Sequence, residues 1–306
     1  LKTPEGHGYR SDGVIPLMRL FHAVFIALLG AQMAVAQPFR ADWQIVEPRV
    51  GLGEPILLRF AIENKGNETI QLNLGADQAS FASEGISGLA LTVITPDGKL
   101  HPPPSPIPPR SGLQPLRWLL QIKTGETSSS MFVLNNFYEF NQPGVYDIRV
   151  SLNSLATLGP REYAVNGFEG RIEIGPRDEA VLRSRLEFLT VRIEKRTKDW
   201  SEALTILRSI KDPTAIPYIV RLLADNQIRT IMMRHLAKFP EPAALSVLLD
   251  IVAQGDPQGT VRDARDALVL AYGESGALLK IQDLPLRARV ESAIAGQVHP
   301  ATIVGK

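Results

Sequence analysis

Five histidines, His7, His22, His101, His235 and His299, are the side chains of this 306-residue chain best suited to acid–base or metal chemistry. No two stand close enough in sequence to form a local metal pair, and His-Glu-x-x-His is absent. Serine nucleophiles need a neighbouring base and often a sharp elbow of the form Gly-x-Ser-x-Gly. The nearest match, Gly85-Ile86-Ser87-Gly88, lacks the final glycine, and there is no Ser-x-x-Lys. Gly51-Leu52-Gly53 lacks the third glycine of a dinucleotide turn, and no phosphate loop occurs. With no cysteine there is no thiolate nucleophile, disulfide or Cys-ligated zinc. The expectation is therefore no catalytic residues, no metal and no cofactor. An acid/base pair assembled from carboxylates on distant strands is the one arrangement spacing cannot exclude.

Arginines give a different signal. Arg229 and Arg262 stand 33 residues apart in matching surroundings, and Arg234 and Arg265 lie nearby. Either they bond neighbouring loops, or they line an inner helical face for an acidic partner. His235 falls on the apolar side of its helix, opposite Leu268 of the matching segment, and reads as a packed histidine.

The elements that position these residues change type near Pro176. From Trp43 to Ile174 apolar residues alternate with polar ones, the mark of half-buried strands. Leu58, Phe60 and Ile62 form one such set; Ile70, Leu72 and Leu74 another; Leu89, Leu91 and Val93 a third. Leu116, Trp118, Leu120 and Ile122 follow, then Phe132 and Leu134, then Tyr146, Ile148, Val150 and Leu152, then Ile172 and Ile174. Turns are expected at Lys65-Gly66-Asn67 and Pro96-Asp97-Gly98. The six prolines of residues 101–110 read as a stiff connection. Asn67-Glu68-Thr69 matches a glycosylation acceptor but reads as hairpin turn. Seven or eight strands with one apolar face each must bury those faces against one another.

Beyond Pro176 the period becomes 3.6. A helix is expected over 178–195 and another over 200–210. Pro213, Ala215, Ile216, Ile219, Val220 and Leu223 recur 29 residues later as Pro242, Ala244, Leu245, Leu248, Leu249 and Val252. Ile228, Arg229, Ile231, Leu236 and Phe239 recur at an offset of 33 as Val261, Arg262, Ala264, Val269 and Tyr272, the extra residues falling in the loop 254–259. Each set makes one apolar helical face, with proline in a first turn where its missing N–H costs nothing. Residues 284–294 read as a closing helix.

Two resemblances follow. Gly53-Glu54-Pro55 leading into Leu58-x-Phe60-x-Ile62-x-Asn64, and Pro143-Gly144-Val145-Tyr146 leading into Ile148-x-Val150, resemble bacterial immunoglobulin-like sandwiches, with Tyr146 placed like the tyrosine of a corner motif. Asp212-Pro213-x-Ala215-Ile216-Pro217, Leu222-Leu223 and Val261-Arg262-x-Ala264-x-x-Ala267-Leu268 resemble HEAT repeats, including the variety named for phycobiliprotein lyases. The loop aspartate that many such repeats place before Val-Arg is replaced by Gln227 and by Gly259-Thr260, which puts a loop-to-loop ladder in doubt. The resemblances imply an antiparallel immunoglobulin-like β-sandwich over 37–176 followed by a short HEAT-like α-solenoid over 177–306.

The N-terminus reads as a targeting segment. Met18-Arg19, the apolar run 20–29 and Ala34-Val35-Ala36 before Gln37 fit a signal peptide over 18–36 cleaved between Ala36 and Gln37. Residues 1–17 read as an over-extended gene start. The run is too short for an easy span, so no stable membrane span is expected after cleavage. Lys and Arg number 33 against 32 Asp and Glu, a net charge of +1, which argues against nucleic acid. The expected function is a periplasmic or secreted, non-catalytic interaction protein or scaffold whose partner is another protein. The alternatives are a hydrolase or carbohydrate-active accessory protein with its site at the domain junction, and an inhibitor of exported proteases using residues 102–109.

Overall fold

The computed structural model describes residues 37–76, 89–101, 117–152, 155–254, 260–273 and 276–298. Residues 1–36 with the leader and Ala36, the serine motif at 85–88, the proline segment 102–109, residues 255–259 and His299 lie outside them.

The chain is mixed β plus α. The strands are β1 Phe39–Ile45, β2 Arg49–Gly51, β3 Leu57–Asn64, β4 Ile70–Ala76, β5 Leu89–Ile94, β6 Leu100–His101, β7 Arg117–Ile122, β8 Thr127–Val133, β9 Gly144–Leu152, β10 Ala156–Leu158, β11 Arg161–Tyr163 and β12 Phe168–Gly175. They form three sheets, ordered β1-β3-β8, β11-β10-β4-β7 and β2-β12-β9-β5-β6. All pairings are antiparallel except β2 with β12. Alternation sends Leu58, Phe60 and Ile62 of β3 inward, where they share one apolar core with Ile70, Leu72, Leu91, Val93, Tyr146, Ile148, Val150, Ile172 and Ile174. Trp43 packs 4.5 Å from the Phe60 ring and donates its indole N–H to Asn166 O at 2.8 Å. The buried Tyr146 hydroxyl donates to Gln142 O at 2.8 Å, a corner tied back to its own strand's approach.

There are more strands than period-two runs. β2, β6, β10 and β11 hold two or three residues each, too few to show an alternation. Leu134 leaves the strand and starts a 3-10 turn, Leu134–Asn136.

The helices are α1 Glu179–Glu194, α2 Trp200–Ser209, α3 Ile216–Leu222, α4 Arg229–Leu236, α5 Pro242–Gln254, α6 Thr260–Tyr272 and α7 Leu284–Val298, with 3-10 turns at Pro213–Ala215 and Ala277–Lys280. Asp178 caps α1 by accepting from the N–H groups of Ala180 and Val181. Asp212 does the same for Thr214 ahead of Pro213. α1 packs on α2 and α3, α3 on α4 and α5, α5 on α6 and α7, and α4 on α6. Their buried faces form a second core, which takes in Val133 of β8 and borders Leu57 of β3. Among the described residues no helix is long and apolar enough to cross a membrane.

Candidate functional site

A sheet in which every second residue points inward has an outer face to dispose of. In β3 that face carries Leu57 and Arg59, whose register partners on β8 are Val133 and Met131. The first pair is covered by helices. The second is not. Arg59, Met131 and Val46 form the floor of a cleft of about 560 Å3 whose wall is α1 and α2. α1 has two sides. Leu182, Leu186 and Ile193 face the helical core, Val181, Ser184, Arg185, Phe188 and Arg192 line the cleft at helical spacing, and Leu189 belongs to both. Phe188 is 59% exposed and Val181 45%, unusual for large apolar side chains on a helix that also packs a core.

Charges rim this apolar patch. Arg185 reaches across the junction: Nη2 lies 2.5 Å from Glu47 Oε2 and Nε 3.0 Å from Glu54 Oε1. Glu54 is only 5% exposed, and its other oxygen accepts the Gly51 N–H at 2.5 Å. Arg192 pairs with Asp199 and lies 5.0 Å over the Phe188 ring. The Arg59 and Glu202 side chains line the cleft without an ion-pair partner among the described residues. An apolar floor with a free cation, a free carboxylate and a braced rim suits recognition of a chain segment.

A second recess of about 410 Å3 lies at the same junction, lined in part by Leu52, Gly53, Asn135, Tyr138, Arg177, Lys211 and Asp212. Arg177 grips Asp212 with Nε 2.7 Å from Oδ2 and Nη2 3.0 Å from Oδ1, and also bonds Thr214 Oγ1 at 2.7 Å. That bond is the main reason the Asp212 carboxyl is held at about 2. Gly53 has φ +91°, and a Cβ there would stand 3.0 Å from Asp212 Oδ2, so glycine is needed for both angle and space. Lys211 Nζ lies 2.8 Å from Glu139 Oε1 and holds that carboxyl below its usual range. Carboxylates locked to cations in this way make poor proton carriers near neutral pH. Among the described residues, no group of three His, Asp or Glu is placed to hold a metal ion.

The arginines singled out by spacing have unlike surroundings. Arg229 donates from Nε to Leu223 O at 2.9 Å and from Nη1 to Thr260 Oγ1 at 3.2 Å, tying the loop before α4 to the start of α6. Arg262 is exposed, its side chain 83% accessible and 3.8 Å from Asp266. Arg234 is exposed on α4, and Arg265 is half-buried with its Nε enclosed and without a hydrogen-bond partner. Gln37 Nε2 donates to Ala164 O at 3.3 Å. His235 is buried, its ring 5.3 Å from Phe239, and burial followed by the Lys238 and Arg208 charges pushes it down to about 3.

Two further side-chain ties are made by residues the recurring pattern does not mark. Arg196, at φ +49°, bonds Asp225 in the turn between α3 and α4 and lies 4.0 Å over the Trp200 ring. Thr230 Oγ1 donates to Asp263 Oδ2 at 2.5 Å. Spacing also missed Glu54 and Arg185. The one visible sign was a carboxylate between Gly53 and Pro55, at the end of the 51–54 turn that it also closes.

No family model matches the chain, and no curated protein matches it. Among solved structures it is similar to a β-glucosidase from Listeria innocua in complex with isofagomine, at 16% identity over 45% of this chain and 16% of that one, TM-score 0.22. A β-glucosidase from Erythrobacter marinus matches at 14% identity over 45% and 15%, TM-score 0.23. The CARDB domain of the PF1109 protein from Pyrococcus furiosus, in complex with di-metal ions, matches at 10% identity over 45% and 94%, TM-score 0.24. The chain thus spans only 16% of the Listeria glucosidase, and similarity at these scores decides neither fold family nor activity.

Proposed function

We propose that the chain is an exported, non-catalytic interaction protein in which an immunoglobulin-like β-sandwich and a short HEAT-like stack of helix pairs together form a docking surface. The sandwich reading is supported by one apolar core shared among the sheets. The repeat reading is supported by the pairs α3/α4 and α5/α6, which carry the residues recurring at offsets of 29 and 33 and pack side by side. The periplasmic or secreted location rests on the leader pattern of residues 18–36.

The single observation that carries the function is the cleft in which half-exposed Phe188 and Val181 face an uncovered sheet surface beside unpaired Arg59 and Glu202. Its occupant is a protein segment with an apolar anchor and a carboxylate within reach of Arg59. A photo-crosslinking residue at position 188 should capture one protein partner reproducibly in the native host, and the same residue at exposed Val145 on β9 should not. Equal capture at both positions, or turnover of a substrate that is lost on changing Glu202 alone, would replace this reading with the hydrolase one.

A further inference from the structure

Asn-Gly occurs once in the chain, at Asn166-Gly167, in the link between β11 and β12. Such a pair can react with itself. The following backbone nitrogen stands within five-membered-ring reach of the asparagine side-chain carbonyl carbon, and a glycine leaves that approach open and the backbone free to turn into it. Here the packing demands the glycine, because a Cβ at 167 would stand 2.7 Å from Val150 O. Both residues are exposed. Neither the Asn166 side chain nor the Gly167 N–H has a hydrogen-bond partner among the described residues. Asp97-Gly98, a pair of related chemistry, is restrained instead: its carboxylate accepts from the Thr95 hydroxyl and pairs with Lys99 at 2.7 Å. Asn67, Asn141 and Asn226 are also exposed, but they precede Glu68, Gln142 and Gln227, whose side chains crowd the attacking nitrogen.

We propose that Asn166 is a site of spontaneous conversion to isoaspartate, and that the conversion breaks a tie that holds β1. The Gly167 nitrogen bonds to Asn166 Cγ, the bond from Cγ to the side-chain nitrogen breaks, and ammonia leaves with the proton that Gly167 gives up. Water then opens the resulting cyclic imide. Attack at the side-chain carbonyl gives an ordinary aspartate. Attack at the backbone carbonyl gives isoaspartate, in which the main chain runs through Cγ and is one carbon longer. Ammonia is exchanged for water, and neither oxidant nor reductant takes part. The consequence is specific to this fold. Asn166 O accepts the Trp43 indole N–H at 2.8 Å, and Ala164 O of the same link accepts from Gln37. In the isoaspartate form that oxygen belongs to a carboxylate hanging off the chain. Gly167, packed against Val150 O, has no room to absorb the added length. This inference is independent of the Phe188 cleft.

The test is to hold the folded full chain in mildly alkaline buffer, with a urea-unfolded sample beside it, and to take samples over days. In the folded sample the tryptic peptide between Arg161 and Arg171 should gain about 1 Da, with isoaspartate identified by electron-transfer fragmentation. Peptides that carry Asn67, Asn141 and Asn226 should keep their masses over the same period. In a second sample, isotope-labelled only at its tryptophan nitrogens, the Trp43 indole resonance should shift in step with the isoaspartate fraction; Trp43→Phe assigns that resonance by its loss. Asn166→Gln, one carbon too long for the five-membered ring, should keep both its mass and its Trp43 resonance. A gain in the unfolded sample alone, no gain in either, or equal gains at the other asparagines overturns the site. Conversion with the Trp43 resonance unmoved overturns the broken tie.

Discussion

Arg185 of α1 and Glu54 ahead of β3 meet across the junction with Nε and Oε1 3.0 Å apart, and among the described residues the Glu54 carboxylate has its other partner in the Gly51 N–H. Removing the arginine strands a buried carboxylate. Arg185→Met should cost about 3 kcal/mol in urea unfolding. Adding Glu54→Gln should restore most of it, since an amide oxygen still accepts from Gly51 and the only carboxylate left without its cation, Glu47, is 43% exposed. A single variant as stable as the unaltered chain would mean that water reaches Glu54.

Asp212 makes stability depend on acid. Arg177 holds its carboxyl at about 2, below the ordinary 3.8, so the folded state prefers the ionised form. That contribution is complete above about pH 4 and is lost as pH falls through 2. With Arg177 38% exposed, solvent trims it, and Asp212→Asn should cost about 1–2 kcal/mol at neutral pH. The gap between the two proteins should close between pH 4 and 2. A constant gap would assign the loss to the Thr214 N–H cap instead.

His235 acts over a higher window. The folded ring stays neutral down to about 3, whereas the unfolded one takes its proton near 6.5, so stability falls as pH drops between these values. The ring faces the Leu207 and Ile210 carbonyls without a well-formed hydrogen bond. His235→Leu, the residue found at the matching position 268, should therefore stay within about 1 kcal/mol of the parent at pH 7. Its melting temperature should decline less on acidification to pH 4. An identical decline would clear His235 of the effect.

Tyr146 tests the strand region. Its ring packs 5.2 Å from Phe140, and its hydroxyl has Gln142 O as acceptor. Tyr146→Phe keeps the packing and removes the bond, for a loss of about 1 kcal/mol by chemical denaturation. No loss would show the carbonyl finds water instead.

Long elements were legible in the sequence and short or cross-chain ones were not. Leu58, Phe60 and Ile62 announce β3, and Asp178 announces α1, because period and cap are local properties. β10 and β11 are three residues each, held by pairing with β4 and with one another, and no local pattern encodes that. Arg229 bonds Leu223 O and Thr260 Oγ1, partners that its spacing alone does not name. The cleft was invisible for a physical reason. Arg59 and Phe188 are far apart in the chain, and each alone looks like an ordinary surface residue.

Val133 belongs to the strand β8 yet is buried among helix side chains, with Leu57 beside it. An outward-facing pair of the sheet therefore closes part of the helical core. On heating, the helices should melt no later than the strands, because the strands cannot open without wetting the helical core.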